Sequence, residues 1–548
     1  MTGAPRQMRW WGWGEPAEEV KITTAGEALM LARLGMSGWA DRPPVSLERV
    51  SLPQPALSAS ALRSMRAAVG DANVLTDRET RIRRAAGRSY ADLIRLRAGD
   101  AGTAPDAVVV PGSEDEIGSI LAICESEGVA VIPFGGGTSV VGGVTPGRGG
   151  LGAAVTLDLA RFDSLEVDRR SLLATAGAGL RARNVEAALQ AQGLTLGHFP
   201  QSFEYASIGG YVATRSAGQA STGYGRIDEL VVALQMVAPA GRIRTPRVPA
   251  SAAGPSVREL LVGSEGAFGV ITAATLAVRP SPEVRAFEGW SFRNFAAGVE
   301  ALRDVEQSEA SPDVARLSDE EETAIGLAMA DRGSLTDRAA RTYLRARGHD
   351  RGCLVIVGFE GEREEVAPRK ARCTRILRRH GGLALGRRAG EAWVRTRYLA
   401  PYLRDVLLDR GVLAETLETA TTWSRLEALH AAVGQALGSS LAEEGSRPLV
   451  ACHVSHLYPS GASLYFTCMA RARQGAEVEQ WRAAKEAASR AIVEHGATIT
   501  HHHAVGRDHA AFLRHEIGDL GIAALQAAKG RFDPHGIMNP GALLGPEG

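Results

Sequence analysis

Lysine, cysteine and long apolar stretches are all scarce in this sequence. Only four of its 62 basic residues are lysine, a bias toward arginine that is typical of GC-rich bacterial genomes. Its five cysteines are widely spaced and form no CxxC pair, which argues against a disulfide framework or a structural zinc site and favours a cytoplasmic protein with reduced thiols. No run of about 18 apolar residues occurs, so no membrane-spanning helix is expected.

The sequence also lacks a net charge and a secretory signal. Its 62 acidic residues balance the 62 basic ones, so it has no basic excess of the kind that nucleic-acid-binding proteins use to displace counterions from phosphates. The first 20 residues contain no continuous apolar core of a signal peptide. We therefore expect a cytoplasmic protein without a nucleic-acid partner.

Glycine, in contrast, is abundant, with 63 among 548 residues against about 7% in average proteins. The length corresponds to roughly three to four domains of about 150 residues each. Strand and helix patterns alternate up to about residue 283, and helical patterns dominate afterwards. The sequence therefore predicts an α+β fold with four parts: an N-terminal helical accessory region (1–98), a glycine-rich ligand-binding domain (99–283), an α/β substrate or cap domain (284–507) and a C-terminal helical segment (508–548).

Periodicity and turn residues predict the individual elements. Ser113 is predicted to cap a helix, with Glu116 at the reciprocal position of a capping box. The predicted strands are 106–111, 129–134, 153–159, 171–179, 231–239, 269–280, 353–361 and 463–470. The other predicted helices are 25–36, 58–69, 181–192, 296–307, 319–332, 366–381 and one or two helices within 508–534.

The sharpest glycine cluster is PFGGGTS, residues 133–139, directly after a predicted strand. Three consecutive glycines lose backbone entropy on folding and offer no side chains to pack. The cluster makes sense if its backbone N–H groups converge on an anion, with the hydroxyls of Thr138 and Ser139 as further donors. Phosphate is the expected guest, and a glycine-rich hairpin turn is the alternative.

A second cluster, GAGLRA at 177–182, matches the G-x-G-x-x-A dinucleotide fingerprint between a strand and a helix. That fingerprint also requires an acidic residue at the end of a second strand about 20 residues later. Here LTLGHFPQSFE follows, without a convincing strand. We therefore do not expect a nicotinamide dinucleotide at this position.

Further clusters are SIGGYVATRSAG at 207–218, GYG at 223–225 and GSEGAFGVI at 263–271. Any one of them could be an ordinary loop. Their number between residues 135 and 271, interleaved with predicted strands, indicates a long ligand that lies along the protein backbone.

Five segments taken in order resemble the PCMH-type FAD-binding fold of the vanillyl-alcohol oxidase superfamily: PFGGGTS, PQSFEYASIGGYVATRSAG, YGRIDELVVALQMV, GSEGAFGVIT and FDPHGIMNPG. Within that superfamily they are most similar to the alkyldihydroxyacetonephosphate synthase (alkylglycerone-phosphate synthase) family. The resemblance runs from about residue 100 to the C-terminus. It implies a two-subdomain FAD-binding domain, to which the C-terminal segment returns, and non-covalent FAD.

The resemblance also implies which residues contact FAD, with the GGGTS loop on the pyrophosphate. One departure is Gln201, where the family usually has aspartate. The implied cofactor-binding residues are Pro133, Phe134, Gly135, Gly136, Gly137, Thr138, Ser139, Gln201, Ser202, Ser207, Gly209, Gly210, Thr214, Ser216, Glu265, Gly266, Gly269, Val270 and Ile271.

The triplet His501-His502-His503 is the most unusual run in the chain. On an extended segment, His501 and His503 would point to one face and His502 to the other, so the three could not share a metal without a turn. We therefore predict no metal site and assign the imidazoles to proton transfer. The family resemblance agrees, because its HHHxVG motif occurs here as HHHAVG.

Three further residues are implied by the resemblance. Tyr465, in a segment whose second tyrosine faces the flavin in the family, is the catalytic candidate, and Tyr458 is the weaker one; a tyrosine simply packed in a sheet is the alternative. Arg404 and Arg316 match arginines in or near the family's active site. We expect Arg404 to act in catalysis and both arginines to bind substrate, because a guanidinium can bind two phosphate oxygens at once.

The resemblance implies an exchange reaction without net oxidation. The N5 atom of oxidised FAD captures the substrate carbon as a fatty acid leaves acyl-dihydroxyacetone phosphate, and a fatty alcohol then displaces the flavin. Such long-chain substrates require an apolar tunnel and fit peripheral contact with a membrane, and a homodimer is expected by analogy.

Two other functions remain open on sequence grounds. An FAD-dependent D-2-hydroxyacid dehydrogenase or oxidase of the D-lactate or glycolate type shares the FAD half, and its metal could be bound here by His453 and His456. Such enzymes typically show GDGNLH-like and EHGIG segments, where this chain has CHVSHLYPSG and HHHAVG. A flavin-binding scaffold without turnover is the non-enzymatic alternative.

Overall fold

The computed structural model describes residues 7–15, 18, 20–443 and 447–545. The elements up to residue 280 belong to an N-terminal helical region, to two larger sheets with their helices, and to a two-stranded antiparallel sheet formed by 194–195 and 279–280. They are α1 (Thr24–Leu34), α2 (Ala59–Val69), β1 (Val74–Leu75), α3 (Arg78–Arg83), α4 (Tyr90–Arg97), β2 (Ala107–Val109), α5 (Glu114–Glu127), β3 (Val129–Phe134), β4 (Ala153–Asp158), β5 (Leu165–Asp168), β6 (Leu173–Gly177), α6 (Ala182–Gln190), β7 (Leu194–Thr195), α7 (Ile208–Thr214), α8 (Ser221–Tyr224), α9 (Ile227–Leu230), β8 (Val231–Ala238), β9 (Gly241–Arg244), α10 (Val257–Leu261), β10 (Val270–Ala277) and β11 (Arg279–Pro280).

The remaining elements form a third sheet, its helices and a C-terminal helix. They are β12 (Val284–Phe292), α11 (Phe295–Gln307), β13 (Val314–Ser318), α12 (Glu320–Ala330), α13 (Leu335–Ala346), β14 (Cys353–Gly361), α14 (Arg363–Arg379), β15 (Leu383–Gly386), α15 (Arg387–Thr396), α16 (Ala400–Asp409), β16 (Val412–Thr422), α17 (Trp423–Leu441), β17 (Leu449–Tyr458), β18 (Gly461–Arg471), α18 (Glu477–Glu494) and α19 (Leu513–Phe532). Short 3₁₀ turns span Leu47–Arg49, Asp71–Asn73 and Ala510–Phe512.

The first sheet has the strand order β1-β2-β4-β3, with β2 and β3 both parallel to β4. Helix α5 makes the connection from β2 to β3 that a parallel arrangement requires. All six residues of β4 are buried, as expected for a strand covered on both faces. This sheet presents the PFGGGTS segment at the carboxyl end of β3.

The second sheet is antiparallel, in the order β5-β6-β10-β8-β9. Strand β6 pairs antiparallel with both neighbours, so the GAGLRA segment after it does not lie in a parallel strand-helix-strand unit. Gly179 has a packing reason instead, because a Cβ there would collide with the Leu159 carbonyl. The structure therefore agrees with rejecting a nicotinamide dinucleotide site.

One hydrophobic core joins these two sheets and includes residues near the C-terminus, among them Ile522, Ile537 and Met538. The Val131 amide donates to the Ile537 carbonyl at 2.8 Å, and Asn539 donates from its amide back to Val131 at 2.9 Å. The last segment of the chain thus packs against the strand that carries the glycine loop.

The third sheet is antiparallel, with seven strands in the order β15-β12-β14-β13-β17-β18-β16. Helices α11, α14, α17 and α18 pack on it through a second core, to which they contribute leucine, valine, isoleucine and alanine side chains. The register of β17, β18 and β16 places His453, Tyr465 and Glu418 side by side across this sheet.

The predicted α+β fold is confirmed, and each predicted strand and helix overlaps an observed one. One detail of the capping prediction is wrong. Ser113 accepts from the Glu116 amide as expected, but the Glu116 carboxylate accepts from the amide of Gly112, one residue before the cap. The N-terminal region contributes strand β1 besides its helices, and α19 is kinked at Gly518. The proposed domain boundaries stay predictions.

All five cysteines are buried with free thiols. No helix in the described ranges is both long and apolar enough to span a membrane.

Candidate active site

Three polar side chains lie in one row across the third sheet. In the strand register, Tyr465 of β18 is paired with His453 of β17 on one side and with Glu418 of β16 on the other. Side chains at paired positions of antiparallel strands lie on the same face. The His453 ring stacks on that of Tyr465, with 4.8 Å between centroids, and the Tyr465 hydroxyl donates to the Thr416 Oγ1 atom at 3.0 Å.

Glu418 folds the histidine triplet into a turn. Its fully buried carboxylate accepts the backbone N–H groups of His501, His502 and His503 at 2.5, 3.0 and 2.8 Å, and the Thr500 hydroxyl at 2.6 Å. The prediction of an extended segment with alternating faces is therefore wrong. Three successive amides converge on one carboxylate, and this geometry brings the three rings together.

Two of these rings reach Tyr465. The His502 ring is stacked with it at 5.9 Å between centroids, and the His503 ring approaches edge-on at 5.4 Å. Burial lowers the pKa of His502 to about 3 and that of His503 to about 4, and it raises the pKa of Tyr465 to about 12. His502, His503 and Tyr465 are thus uncharged near neutral pH. The two imidazoles can then accept a proton, and the Tyr465 hydroxyl can donate one, within the site.

The ionised form of Glu418 anchors this arrangement. Burial alone would raise the pKa of its carboxyl, but the Thr500 hydroxyl and the other donors that the carboxylate accepts outweigh it, so the net direction is well downward. Acceptance of three backbone N–H bonds favours the same ionised form.

The remaining triplet member, His501, turns away from Tyr465. Its Nδ1 atom lies 2.9 Å from Nδ1 of His502, and its Nε2 atom lies 2.6 Å from the Tyr458 hydroxyl. Ligand atoms of His456, His501 and His502 lie within 4.8 Å of one another, a spacing that a metal ion could use. His456, however, donates through Nε2 to the Gly218 carbonyl at 2.9 Å, and its Nδ1 faces the hydroxyls of two serines. Both His456 nitrogens are thus occupied, and the prediction of no metal stays a prediction.

Neither candidate arginine is hydrogen-bonded to Tyr465 in the described structure: Arg316 contacts His453, and Arg404 contacts Glu415. Arg316 donates to Nε2 of His453 at 3.1 Å and to Glu322 at 2.8 Å, so the two donors are already used. Arg404 donates through one nitrogen to the Arg88 carbonyl at 3.0 Å and to Glu415 at 3.4 Å. Its buried Nε atom has no partner among the described residues. Arg404 therefore retains a donor for an anion, whereas Arg316 orients His453.

The PFGGGTS segment fits a bound phosphate. Within the described ranges, the backbone amides of Gly135 to Ser139 have no hydrogen-bond acceptor, although Gly137 is buried and the other four residues are half-buried. A Cβ at Gly136 would collide with the carbonyl of Tyr205, and one at Gly135 with the Ser207 hydroxyl. Free consecutive N–H groups in a loop that tolerates no side chain are what an anion-binding nest requires.

Several other predicted cofactor residues adjoin this loop. Ser207 caps α7 by accepting from the Gly210 amide, and Thr214 donates back to the Gly210 carbonyl. Ser216 is hydrogen-bonded to Nε2 of His198, and Gln201 accepts from Gln219. These contacts order the segment. The FAD contacts assigned to these residues stay predictions, as do those of Pro133, Phe134, Thr138, Ser202, Gly209, Gly266, Gly269, Val270 and Ile271.

Glu265 links the glycine-rich domain to the histidine turn. Its carboxylate accepts the amides of Val505 and Gly506 at 2.9 and 2.8 Å, and its carbonyl accepts from the Asn539 side chain at 2.7 Å. Burial raises the pKa of Glu265 to about 7. The predicted FAD contact would have to involve its backbone, because the carboxylate oxygens already hold the turn that follows His503.

Sequence reasoning missed Glu418, Glu322, Thr416 and Arg88. A signal for Glu418 exists, because VLAETLETATT places two glutamates in a strand whose other central residues are largely apolar and buried. Arg88 carries no such signal among 58 arginines. Its backbone amide donates to the Ser139 carbonyl at 2.6 Å, while its own carbonyl accepts from Arg404. One turn thus connects the phosphate-type loop to the candidate substrate arginine.

Known proteins resemble this chain in both halves and over its whole length. The family model of an FAD binding domain matches residues 105–246, and that of the C-terminal domain of FAD-linked oxidases matches residues 281–543. An alkyldihydroxyacetonephosphate synthase of Caenorhabditis elegans is 34% identical, over 85% of this chain and 81% of its own. The synthase of Dictyostelium discoideum is 29% identical, over 98% of this chain and 94% of its own. A solved alkyldihydroxyacetonephosphate synthase structure, 27% identical, superimposes with a TM-score of 0.86 over 97% of this chain and 98% of its own.

Proposed function

The chain belongs to the alkyldihydroxyacetonephosphate synthase family, and we propose that it exchanges the acyl group of acyl-dihydroxyacetone phosphate for a fatty alcohol. The bond between the dihydroxyacetone carbon and the acyloxy oxygen breaks, a bond to the alcohol oxygen forms, and a fatty acid leaves. The product is the alkyl ether from which ether lipids are built. The convergence of Tyr465, His502 and His503 beside Glu418 is the observation that carries this assignment of chemistry to the site.

FAD is the cofactor, and when bound it supplies the electrophilic centre for the substrate carbon. The chain's residues supply the proton chemistry. The Tyr465 hydroxyl, held at 3.0 Å by Thr416, donates or recovers the proton that the exchange moves. His502 and His503 flank its ring as uncharged bases, so that a proton taken from the fatty alcohol has an acceptor within the site.

We propose that Arg404 holds the substrate phosphate. Its Nε donor is unpartnered within the described ranges, and its guanidinium lies beside the Arg88 turn that also contacts the glycine loop. The carboxylate of Glu415, which is 3.4 Å from Arg404, balances the charge before substrate binds. Arg316 acts indirectly, because it fixes the tautomer of His453 by donating to Nε2 and leaves Nδ1 to donate to Glu322 at 2.9 Å.

The long-chain substrates suggest a partner surface as well. Helix α13 has no buried side chain among those that the structure describes, and it exposes Leu335 by 81% and Tyr343 by 49%. Residues 331–351 contain six arginines against three aspartates. A basic amphipathic helix of this kind suits peripheral binding to anionic lipid surfaces. We propose that α13 makes this contact. In a flotation assay, the wild-type protein should rise with phosphatidylglycerol vesicles, whereas the Leu335→Asp variant should stay in the dense fraction. If both proteins float equally well, α13 does not make the membrane contact.

One experiment separates the functions considered above. The purified yellow protein is mixed anaerobically with D-lactate, or with acyl-dihydroxyacetone phosphate and a fatty alcohol. Alkyl-ether product without lasting flavin bleaching supports the synthase. Flavin bleaching by the hydroxy acid alone, without ether product from the lipid mixture, would establish the less supported oxidoreductase alternative. If neither mixture bleaches the flavin or gives ether product, the protein is a flavin-binding scaffold. The expected homodimer, cytoplasmic location and lack of a nucleic-acid partner stay predictions.

A further inference from the structure

The proposed exchange releases one proton per turnover into a buried site. The fatty alcohol loses its hydroxyl proton, whereas the departing fatty acid is ionised at neutral pH, since an ordinary carboxyl pKa is about 4. His501 is only 5% exposed and His456 only 4%. The proton therefore needs a defined route from the Tyr465 site to solvent.

Within the described ranges, a chain of hydrogen bonds leads from His502, whose ring neighbours that of Tyr465, toward the protein surface. It passes from His502 over 2.9 Å to Nδ1 of His501. From Nε2 of His501 it continues over 2.6 Å to the hydroxyl of Tyr458. Tyr458 ends strand β17, is only partly buried, and is followed by the exposed Pro459.

The other groups that face His501 cannot take this role. Glu418 already accepts four donors, and His456 has both ring nitrogens occupied. Arg226, which also faces Tyr458 and His501, is a permanent cation and is paired with Asp228 at 3.0 Å. Tyr458 is thus the group through which the chain reaches the protein surface.

We propose that His501 and Tyr458 form the proton exit of this site, an inference that rests on the proposed exchange reaction. The alcohol proton goes to His502, and the Nδ1 proton of His502 goes to Nδ1 of His501. The Nε2 proton of His501 goes to the Tyr458 oxygen while the Tyr458 proton goes to water. Each of the three side chains gains one proton and loses one, and no electron moves. His502 and His501 both change tautomer in the step and return to the starting tautomer before the next turnover, while Glu418 keeps the rings aligned.

The test is Tyr458→Phe, which keeps the ring and removes only the hydroxyl. Because the variant removes one proton-transfer group, kcat should fall by about 10²-fold, the usual size of such a contribution. KM should stay unchanged, because Tyr458 lies outside the row of residues around Tyr465. The solvent deuterium isotope effect on kcat should rise. Tyr90→Phe removes the hydroxyl of another buried tyrosine, one without a hydrogen-bond partner among the described residues, and should behave as wild type.

A second readout does not depend on turnover. With nitrogen-15-labelled histidine, the FAD-loaded wild type should show a low-field imidazole resonance for the short bond between His501 and Tyr458, and Tyr458→Phe should lose it. An active wild type with unchanged turnover and isotope effect in Tyr458→Phe, or with the resonance retained, would overturn the proton exit alone. A wild type that forms no ether product overturns the proposed function itself.

Discussion

Replacing Glu418 by glutamine should open the histidine turn while changing the side-chain volume very little. The Oε1 atom accepts from Thr500, His502 and His503, and Oε2 accepts from the amide of His501 at 2.5 Å. In Glu418→Gln the amide oxygen can retain the first set, which leaves the –NH₂ group facing the His501 N–H group. Two donors then oppose each other in a fully buried position.

The expected cost follows from these contacts. Losing one hydrogen bond to a charged group costs about 1.5–3 kcal/mol, and a buried donor left without acceptor costs about 1–3 kcal/mol more. The sum, roughly 2.5–6 kcal/mol, is large enough to favour local opening of residues 500–503. Since each 1.4 kcal/mol is about tenfold in an equilibrium constant, amide protection at His501 to His503 should fall by at least about 10²-fold.

Hydrogen–deuterium exchange of the FAD-loaded protein, read by mass spectrometry on peptides that cover 498–506, measures this change, and turnover is measured in parallel. Glu186→Gln is the matched control. Glu186 is another buried glutamate, and it accepts from the Thr195 hydroxyl at 2.6 Å and the Leu196 amide at 3.0 Å, outside the Tyr465 row. Unchanged exchange at 500–503 in Glu418→Gln would refute the claim that this carboxylate holds the turn.

Three further predictions concern the cofactor loop and the proton chemistry. Gly136→Val should abolish FAD loading, because even a Cβ there collides with the Tyr205 backbone. Gly152→Ala should load FAD normally, because a Cβ at Gly152 meets nothing within 4 Å. The flavin absorbance of the purified proteins measures the amount of bound FAD. Tyr465→Phe should lower kcat by about 10²–10⁴-fold with FAD content intact, and retained turnover would reduce Tyr465 to a packing residue. Because the pKa values of His502 and His503 are about 3 and about 4, both below the usual value of about 6.5, these rings stay neutral as pH falls through 6.5. We therefore expect these two rings to contribute no inflection to kcat/KM near pH 6.5, so that an inflection near pH 7 would come from Glu265 and be lost in Glu265→Gln. Unfolded histidines take up protons in that range while these folded ones do not, so stability should decline as pH drops below about 6.5.

The glycine loop and most elements were predictable because their causes are local. PFGGGTS follows an apolar strand and cannot pack side chains, and its free amides in the structure express that property directly. The position of Tyr465 needed the family resemblance, since a tyrosine in an apolar strand is otherwise an ordinary packed residue. The resemblance identified the histidine triplet, but its shape was predicted wrongly, because an extended backbone was assumed.

That error has a physical origin in long-range contact. The turn at residues 501–503 is imposed by Glu418, which is more than 80 positions away in the chain. The alternation of residues along one strand indicates which face a side chain lies on. It carries no information about a carboxylate such as that of Glu418, which is distant in the sequence and accepts three successive backbone amides. The same holds for Arg88, whose importance lies in two backbone contacts that any residue type could make.

These backbone contacts also make the N-terminal region part of the site. A Cβ at Gly87 would lie 2.5 Å from the Ser139 carbonyl, so the turn at 87–88 is fitted closely against the glycine loop. The amide of Trp13 donates to the Asp405 carboxylate at 2.5 Å, one residue from Arg404 on α16. The described part of the first hundred residues thus contacts both the loop predicted to bind the cofactor phosphate and the helix that carries Arg404, the candidate substrate arginine. Because the turn at 87–88 contacts the glycine loop through the Arg88 amide and Arg404 through the Arg88 carbonyl, a shift of this turn would displace a contact at both places.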